Sequence, residues 1–121
     1  MTPSVVDLSE KLTRISKHWT PGMVAELNGQ HVKLVKLLGN FVWHSHEHED
    51  EMFLVLDGTL RMEFRDRAVN VKKGQFIVVP RGVEHRPVSE RECAIMLFEP
   101  ASIVNTGTAG GKRTVAQPEW L

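Results

Sequence analysis

The chain has one cysteine, no net charge and no apolar run longer than a few residues, and each scarcity removes a class of protein. Cys93 alone cannot close an internal disulfide, which excludes a disulfide-stapled scaffold. Lys+Arg and Asp+Glu balance at 15 each, so the chain lacks the basic field that nucleic-acid binding needs. Apolar runs this short do not make a transmembrane helix. Met1–Lys17 alternates charged and apolar side chains, unlike a secretory leader. No nucleic-acid or membrane partner is expected, and a cytoplasmic location is. At 121 residues, 41% of them hydrophobic and 25% charged, the chain suits one domain with a real core.

Helical signal is confined to the N-terminus. Ser4-Val5-Val6-Asp7 has the form of a capping box, and Leu8, Leu12, Ile15 and Trp19 fall at helical spacing. This predicts an amphipathic helix over about 4–19, ended by Thr20-Pro21-Gly22. The stretch from about 23 to 100 reads as β. Val24–Leu27 and His31–Leu38 flank Asn28-Gly29, and Leu56 and Leu60 flank Asp57-Gly58, two hairpin signals. Further strands are expected at 41–46, 51–56, 60–65, 69–71, 75–79, 85–88 and 93–98. Many short strands separated by turn chemistry indicate an all-β sandwich, barrel or jelly roll. Residues 101–121 read as an extended arm that Trp120 and Leu121 can anchor.

Met52–Leu56 and Phe76–Val79 are apolar on both faces, which a sheet with one wet face would not be. Met52, Leu54 and Leu56 share one face, and Glu51, Phe53 and Val55 the other. Phe41 and Trp43 lie opposite His44 and His46 in an extended strand. Turning the Glu51 and histidine faces inward leaves a large apolar patch outside, more than the helix alone can cover. A homodimer is therefore expected.

His44, His46, Glu51 and His85 carry the chemistry. His44 and His46 are two apart in an extended segment, so both imidazoles leave one side. Glu51 opens the next strand after an acidic turn. His85 follows Pro80-Arg81-Gly82, a restricted residue and a permissive one that together redirect the chain. Three imidazoles and a carboxylate suit one divalent transition metal per subunit, whether Fe, Mn, Ni, Co, Cu or Zn. The bland alternative is a polar cluster without a metal.

The segment closely resembles the two cupin motifs. His44-x-His46-x₄-Glu51-x₆-Gly58 follows the first, with Gly39 one residue too close. Gly74-x₅-Pro80-x-Gly82-x₂-His85 follows the second, with Ser89 in place of its final Asn. The resemblance spans Gly39 to Ser89 and implies a cupin barrel of six to eight strands, of the small single-domain kind, with the metal inside. Cupins include dioxygenases, isomerases, epimerases, decarboxylases and non-catalytic binders, so fold does not decide function. The resemblance favours a metal-dependent enzyme, dioxygenase- or isomerase-like, on a small organic molecule. The alternative is a non-catalytic sensor.

Around the cluster, Phe53, Val55 and Phe64 are candidate pocket lining. Arg81 and Arg86 flank the second motif and can clamp an anion, although solvated arginines are the commoner case. His48 lies in a wet turn, and His18 and His31 read as surface residues. Cys93 reads as a buried, inert thiol.

Overall fold

Asn28 and Gly29 turn the chain with φ of 49° and 76°, both left-handed, as a type I′ turn requires. The computed structural model, which describes residues 3–115 and 117–121, pairs β1 (Gly22–Leu27) and β2 (Gln30–Asn40) antiparallel across that turn. A second tight turn at Gly58, φ 84°, joins β3 (Glu51–Asp57) to β4 (Thr59–Phe64). A Cβ at Gly58 would stand 2.8 Å from the carbonyl oxygen of Glu92, so glycine is required for space as well as conformation. β5 (Ala68–Lys72) pairs with β4, and β6 (Phe76–Val79) pairs with β3.

The spine is β7 (His85–Pro100). One of its edges pairs with β2 from Gln30↔Pro100 to Asn40↔Val88. Its other edge pairs with β4 in its first half (Phe64↔His85) and with β3 in its second (Met52↔Phe98). One long strand thus binds both halves into an all-β barrel of the jelly-roll kind. The sequence predicts two strands here, at 85–88 and 93–98, because Ser89–Glu92 is polar. The structure keeps that polar stretch in the strand, with Ser89 opposite Gly39 across a register shift in β2. The strand expected at 41–46 is reduced to an isolated His44↔His85 bridge.

The N-terminal helix is shorter than its pattern. α1 (Leu8–Leu12) is capped by Asp7, whose carboxylate accepts from the Glu10 amide at 3.2 Å, and not by Ser4. Leu8, Leu12 and Ile15 nevertheless pack on Val24, Leu34, Leu56 and Met96, the outer face of the barrel. Trp19 departs from them. Its φ of 60° is rare for a bulky residue, and it turns the ring into the interior. There the indole Nε1 donates to the Leu38 carbonyl at 2.8 Å and the ring stacks on Phe41 at 4.8 Å.

The interior between the sheets is filled by Val35, Leu37, Phe53, Val55, Leu60, Met62 and Ile95, with Cys93 among them. Burial, followed by the nearby Asp57 charge, pushes the Cys93 thiol up to about 11, which keeps it inert. Met52, Leu54 and Leu56 face outward as expected, but Phe41 does not: it is buried against Trp19. The irregular backbone of 41–43 breaks the alternation that would have turned it out. Trp43 does lie outside, under the guanidinium of Arg65 at 3.9 Å.

The C-terminal arm returns to the barrel. β8 (Glu119–Trp120) joins β1 in parallel, the Leu121 amide donates to Met23 at 2.9 Å, and Lys11 Nζ donates to the Leu121 carbonyl at 2.8 Å. Leu121 occupies the space that a Cβ at Gly22 would need. Among the described residues no helix is long and apolar enough to cross a membrane.

Candidate metal centre

Each of the four expected donors arrives on a differently constrained piece of chain. His44 and His85 exchange two backbone hydrogen bonds of 3.0 and 2.9 Å, which fixes one beside the other. His46 follows two residues on, and its carbonyl accepts from the Gly82 amide at 2.8 Å, tying the first motif to the turn of the second. Glu51 opens β3. All four side chains are buried, and their donor atoms lie within 4.8 Å of one another. Two ligands on opposite sides of an ion at about 2.1–2.3 Å stand roughly 4.2–4.6 Å apart, so the cluster is the size of a coordination sphere.

The imidazoles are oriented for ligation. His44 Nδ1 donates to the Val42 carbonyl, and His85 Nδ1 to the Val83 carbonyl, both at 2.9 Å. A carbonyl can only accept, so the proton sits on Nδ1 and Nε2 is left bare. Backbone clamps of this kind commonly fix the tautomer of metal-binding histidines. His46 Nε2, His85 Nε2 and Glu51 Oε1 are buried without a hydrogen-bond partner. Glu51 Oε1 is 3.2 Å from His46 Nε2 and 3.9 Å from His85 Nε2, near enough to interact but not aligned as a hydrogen bond. Three unpartnered polar atoms aimed at one point are costly unless something fills it. A divalent cation fits that donor set.

Burial sets the electrostatics. It lowers His44 to about 3, with the His85 charge next in effect, and lowers His85 to about 4. His46 is lowered by burial against the opposing pull of Glu99 and Glu49. Burial raises Glu51. The imidazoles are therefore neutral at physiological pH, the form that ligates.

Next to the cluster lies a small cavity of about 40 Å³, walled by Trp19, Leu37, Phe41, Phe53, Ile95 and Leu97, with His44, Glu51 and Asn105 as polar points. Of the candidate lining residues, Phe53 faces this cavity, whereas Val55 and Phe64 pack in the core. Arg81 lies outside it, holding Asp50 through its backbone amide at 2.8 Å and its guanidinium at 3.4 Å. Arg86 points away from His85, donating to Glu63 at 2.7 Å beside Trp43. The guanidinium that approaches the cavity wall belongs to Arg113 of the arm, 5.4 Å from Trp19 and 5.9 Å from Phe41.

Two buried charged residues behind the cluster carry no motif. Lys33 Nζ donates to Glu99 Oε1 at 2.7 Å, with the side chains 3% and 2% exposed. Burial, then the Glu51 charge, holds the Glu99 carboxyl well above the usual carboxylate range. Their signal was phase: Lys33 alternates with Val35 and Leu37, and Glu99 with Ile95 and Leu97, positions otherwise apolar. His31, expected on the surface, is half-buried opposite Glu99, with Nδ1 unpartnered. His48 is exposed in the turn, as expected.

The Cupin domain family model matches residues 33–98. A cupin-2 domain containing protein from Shewanella frigidimarina is 44% identical over 79% of this chain and 94% of its own, with a TM-score of 0.78. Protein NMB1881 from Neisseria meningitidis is 32% identical over 81% of this chain and all of its own (100%), with a TM-score of 0.75. The uncharacterized protein YdbB of Bacillus subtilis is 36% identical over 64 residues, 52% of this chain and 57% of that protein. The match therefore spans little more than half of YdbB. The chain belongs to the cupin family.

Proposed function

We propose that this cupin binds one divalent transition-metal ion per subunit through His44, His46, Glu51 and His85 and acts on a small organic molecule in the adjoining cavity. The observation that carries the reading is the convergence of three buried, unpartnered donor atoms beside an apolar cavity. When bound, the ion would supply a Lewis acid for an oxygen-bearing ligand. The chain's own residues supply the rest. Val42 and Val83 hold two imidazoles in the ligating tautomer, and Phe53, Leu97 and Trp19 wall an apolar space beside the cluster. A metal-dependent enzyme of the dioxygenase or isomerase kind fits this division of labour.

A non-catalytic binder is the second reading, favoured by one feature. The polar points in the cavity wall are two of the ligands and the amide of Asn105, so no separate acid or base stands there to move a proton. Oxygen uptake by the Fe(II)-loaded protein with catechols, diketones and thiols separates the two. Substrate-dependent uptake supports the dioxygenase, and tight binding without turnover supports the binder.

The metal assignment has its own test. Elemental analysis should find about one equivalent in the wild type and a large loss in both His46→Ala and His85→Ala. Full occupancy in either variant would overturn the assignment. We also propose that the chain is a homodimer, joined through the apolar outer surface of the barrel at Phe76 and Val78.

A further inference from the structure

We propose that Lys33 and Glu99 form a positioning device for Glu51: Glu99, fixed by Lys33, turns the Glu51 carboxylate toward the three imidazoles. The inference rests on the metal reading above and adds two residues that no motif contains.

The placement follows from register. Met52 pairs with Phe98, so one step further along the same antiparallel pair brings Glu51 beside Glu99. Both side chains are buried on the inward face, and Glu99 Oε2, like Glu51 Oε1, has no hydrogen-bond partner. On the other edge of β7, Lys33 pairs with Leu97 and reaches diagonally to Glu99 Oε1 at 2.7 Å. The three charged groups therefore cross the barrel interior from β2 through β7 to β3, ending at the cluster.

Packing does not call for such a pair. An ion pair this deep is often no more stabilising than apolar residues of equal volume, and the neighbouring inward positions hold Val35, Leu37, Ile95 and Leu97. The cluster supplies the missing reason. His44 and His85 are each clamped by a backbone carbonyl. Glu51 has no such clamp, and its Oε1 has no hydrogen-bond partner. The polar residue beside it in the β3–β7 register is Glu99. Two acidic side chains side by side repel each other's oxygens, so Glu99 disfavours rotation of Glu51 toward it and away from the imidazoles. Lys33 performs the complementary task, holding Glu99 Oε1 so that Glu99 does not swing in and compete as a ligand. Outer partners of ligating groups commonly change metal affinity about 10–100-fold when removed.

The test uses cobalt(II) as the probe, because its visible d–d bands report ligand number and geometry. The double variant Lys33→Met/Glu99→Met removes both charges and leaves neither unpaired. It should fold in the metal-free state, bind cobalt about 10–100-fold more weakly in chelator competition, and show an altered band pattern. A merely structural role for the pair would shift the melting temperature and leave affinity and bands as in the wild type, and that result overturns the inference. Should the double variant fail to fold, Glu99→Gln decides on the same two readings. A wild-type chain that takes up no cobalt overturns the metal reading and this inference together, before any variant is made.

Discussion

Three histidines held neutral by burial make the metal-free protein sensitive to acid, with a sign that can be worked out. His44 and His85 are lowered to about 3 and about 4 in the fold, against about 6.5 in an unfolded chain. Below pH 6.5 the unfolded state therefore binds more protons than the native state, and stability falls as pH falls. Each of these two histidines contributes a loss of about 1.4 kcal/mol per pH unit until its own lowered value is reached. Denaturant unfolding of the metal-free chain should show stability near its plateau above pH 7 and a loss of roughly 3 kcal/mol by pH 5.5 from His44 and His85 together. A flat profile between those values would mean that the imidazoles are not buried as the structure places them. A bound metal should raise the plateau and steepen the fall, since protons and metal compete for the same nitrogens.

At the scale of elements, the sequence was most legible where the signal is local. The Asn28-Gly29 turn, the inward phase of Glu51, Phe53 and Val55, and the spacing that brings His44 and His46 together all depend on neighbours in sequence, and all appear in the structure. What was not legible depends on pairing between distant segments. Lys33 and Glu99 are 66 positions apart and meet only because β2 and β7 pair in one register. Ser89–Glu92 reads as a loop until Gly39 is placed opposite it. Phe41 turns inward because Trp19, bent out of the helical pattern, offers it a stacking partner. The C-terminal arm is a further case, since its anchor is tertiary. Gly107, φ 51°, lies so close to Ser45 that a Cβ would run into the Ser45 carbonyl oxygen and approach His46 Nδ1 at 3.0 Å. Thr108 completes the contact, its amide donating to the Ser45 carbonyl at 3.0 Å. Gly107→Ala should therefore lift the arm off the first motif. Limited proteolysis should cut within 101–118 faster than in the wild type, while the barrel's melting temperature falls by only a few degrees, as expected for about 1–2 kcal/mol. Unchanged protection would show that the arm is held elsewhere.

The outer surface of the whole molecule carries the case for a dimer, and it is a different surface from the one the sequence suggested. With Phe41 buried and Trp43 covered by Arg65, the 41–43 segment offers no apolar patch. The patch lies on β6 instead, where Phe76 is 61% and Val78 48% exposed. Their cross-strand partners are Leu54 and Met52, which in turn face Met96 and Phe98. The helix packs against Leu56 and Met96, so the Phe76–Val78 end of this face stays open. Among the described residues β6 pairs with β3 alone, which leaves its other edge open to further pairing. An apolar edge strand open to water invites association. An isologous contact through this edge would bury both Phe76 side chains about a two-fold axis, the commonest symmetry for a soluble oligomer. Light scattering on the wild type at low micromolar concentration should give twice the 13.7 kDa chain mass. Phe76→Asp should return it to a monomer without loss of fold, because the side chain is already outside the core. A control at another exposed apolar position, Leu38→Asp (42% exposed), should leave the dimer intact. A wild-type monomer would refute the dimer, and a Phe76→Asp variant that stays dimeric would move the interface to another face of the barrel.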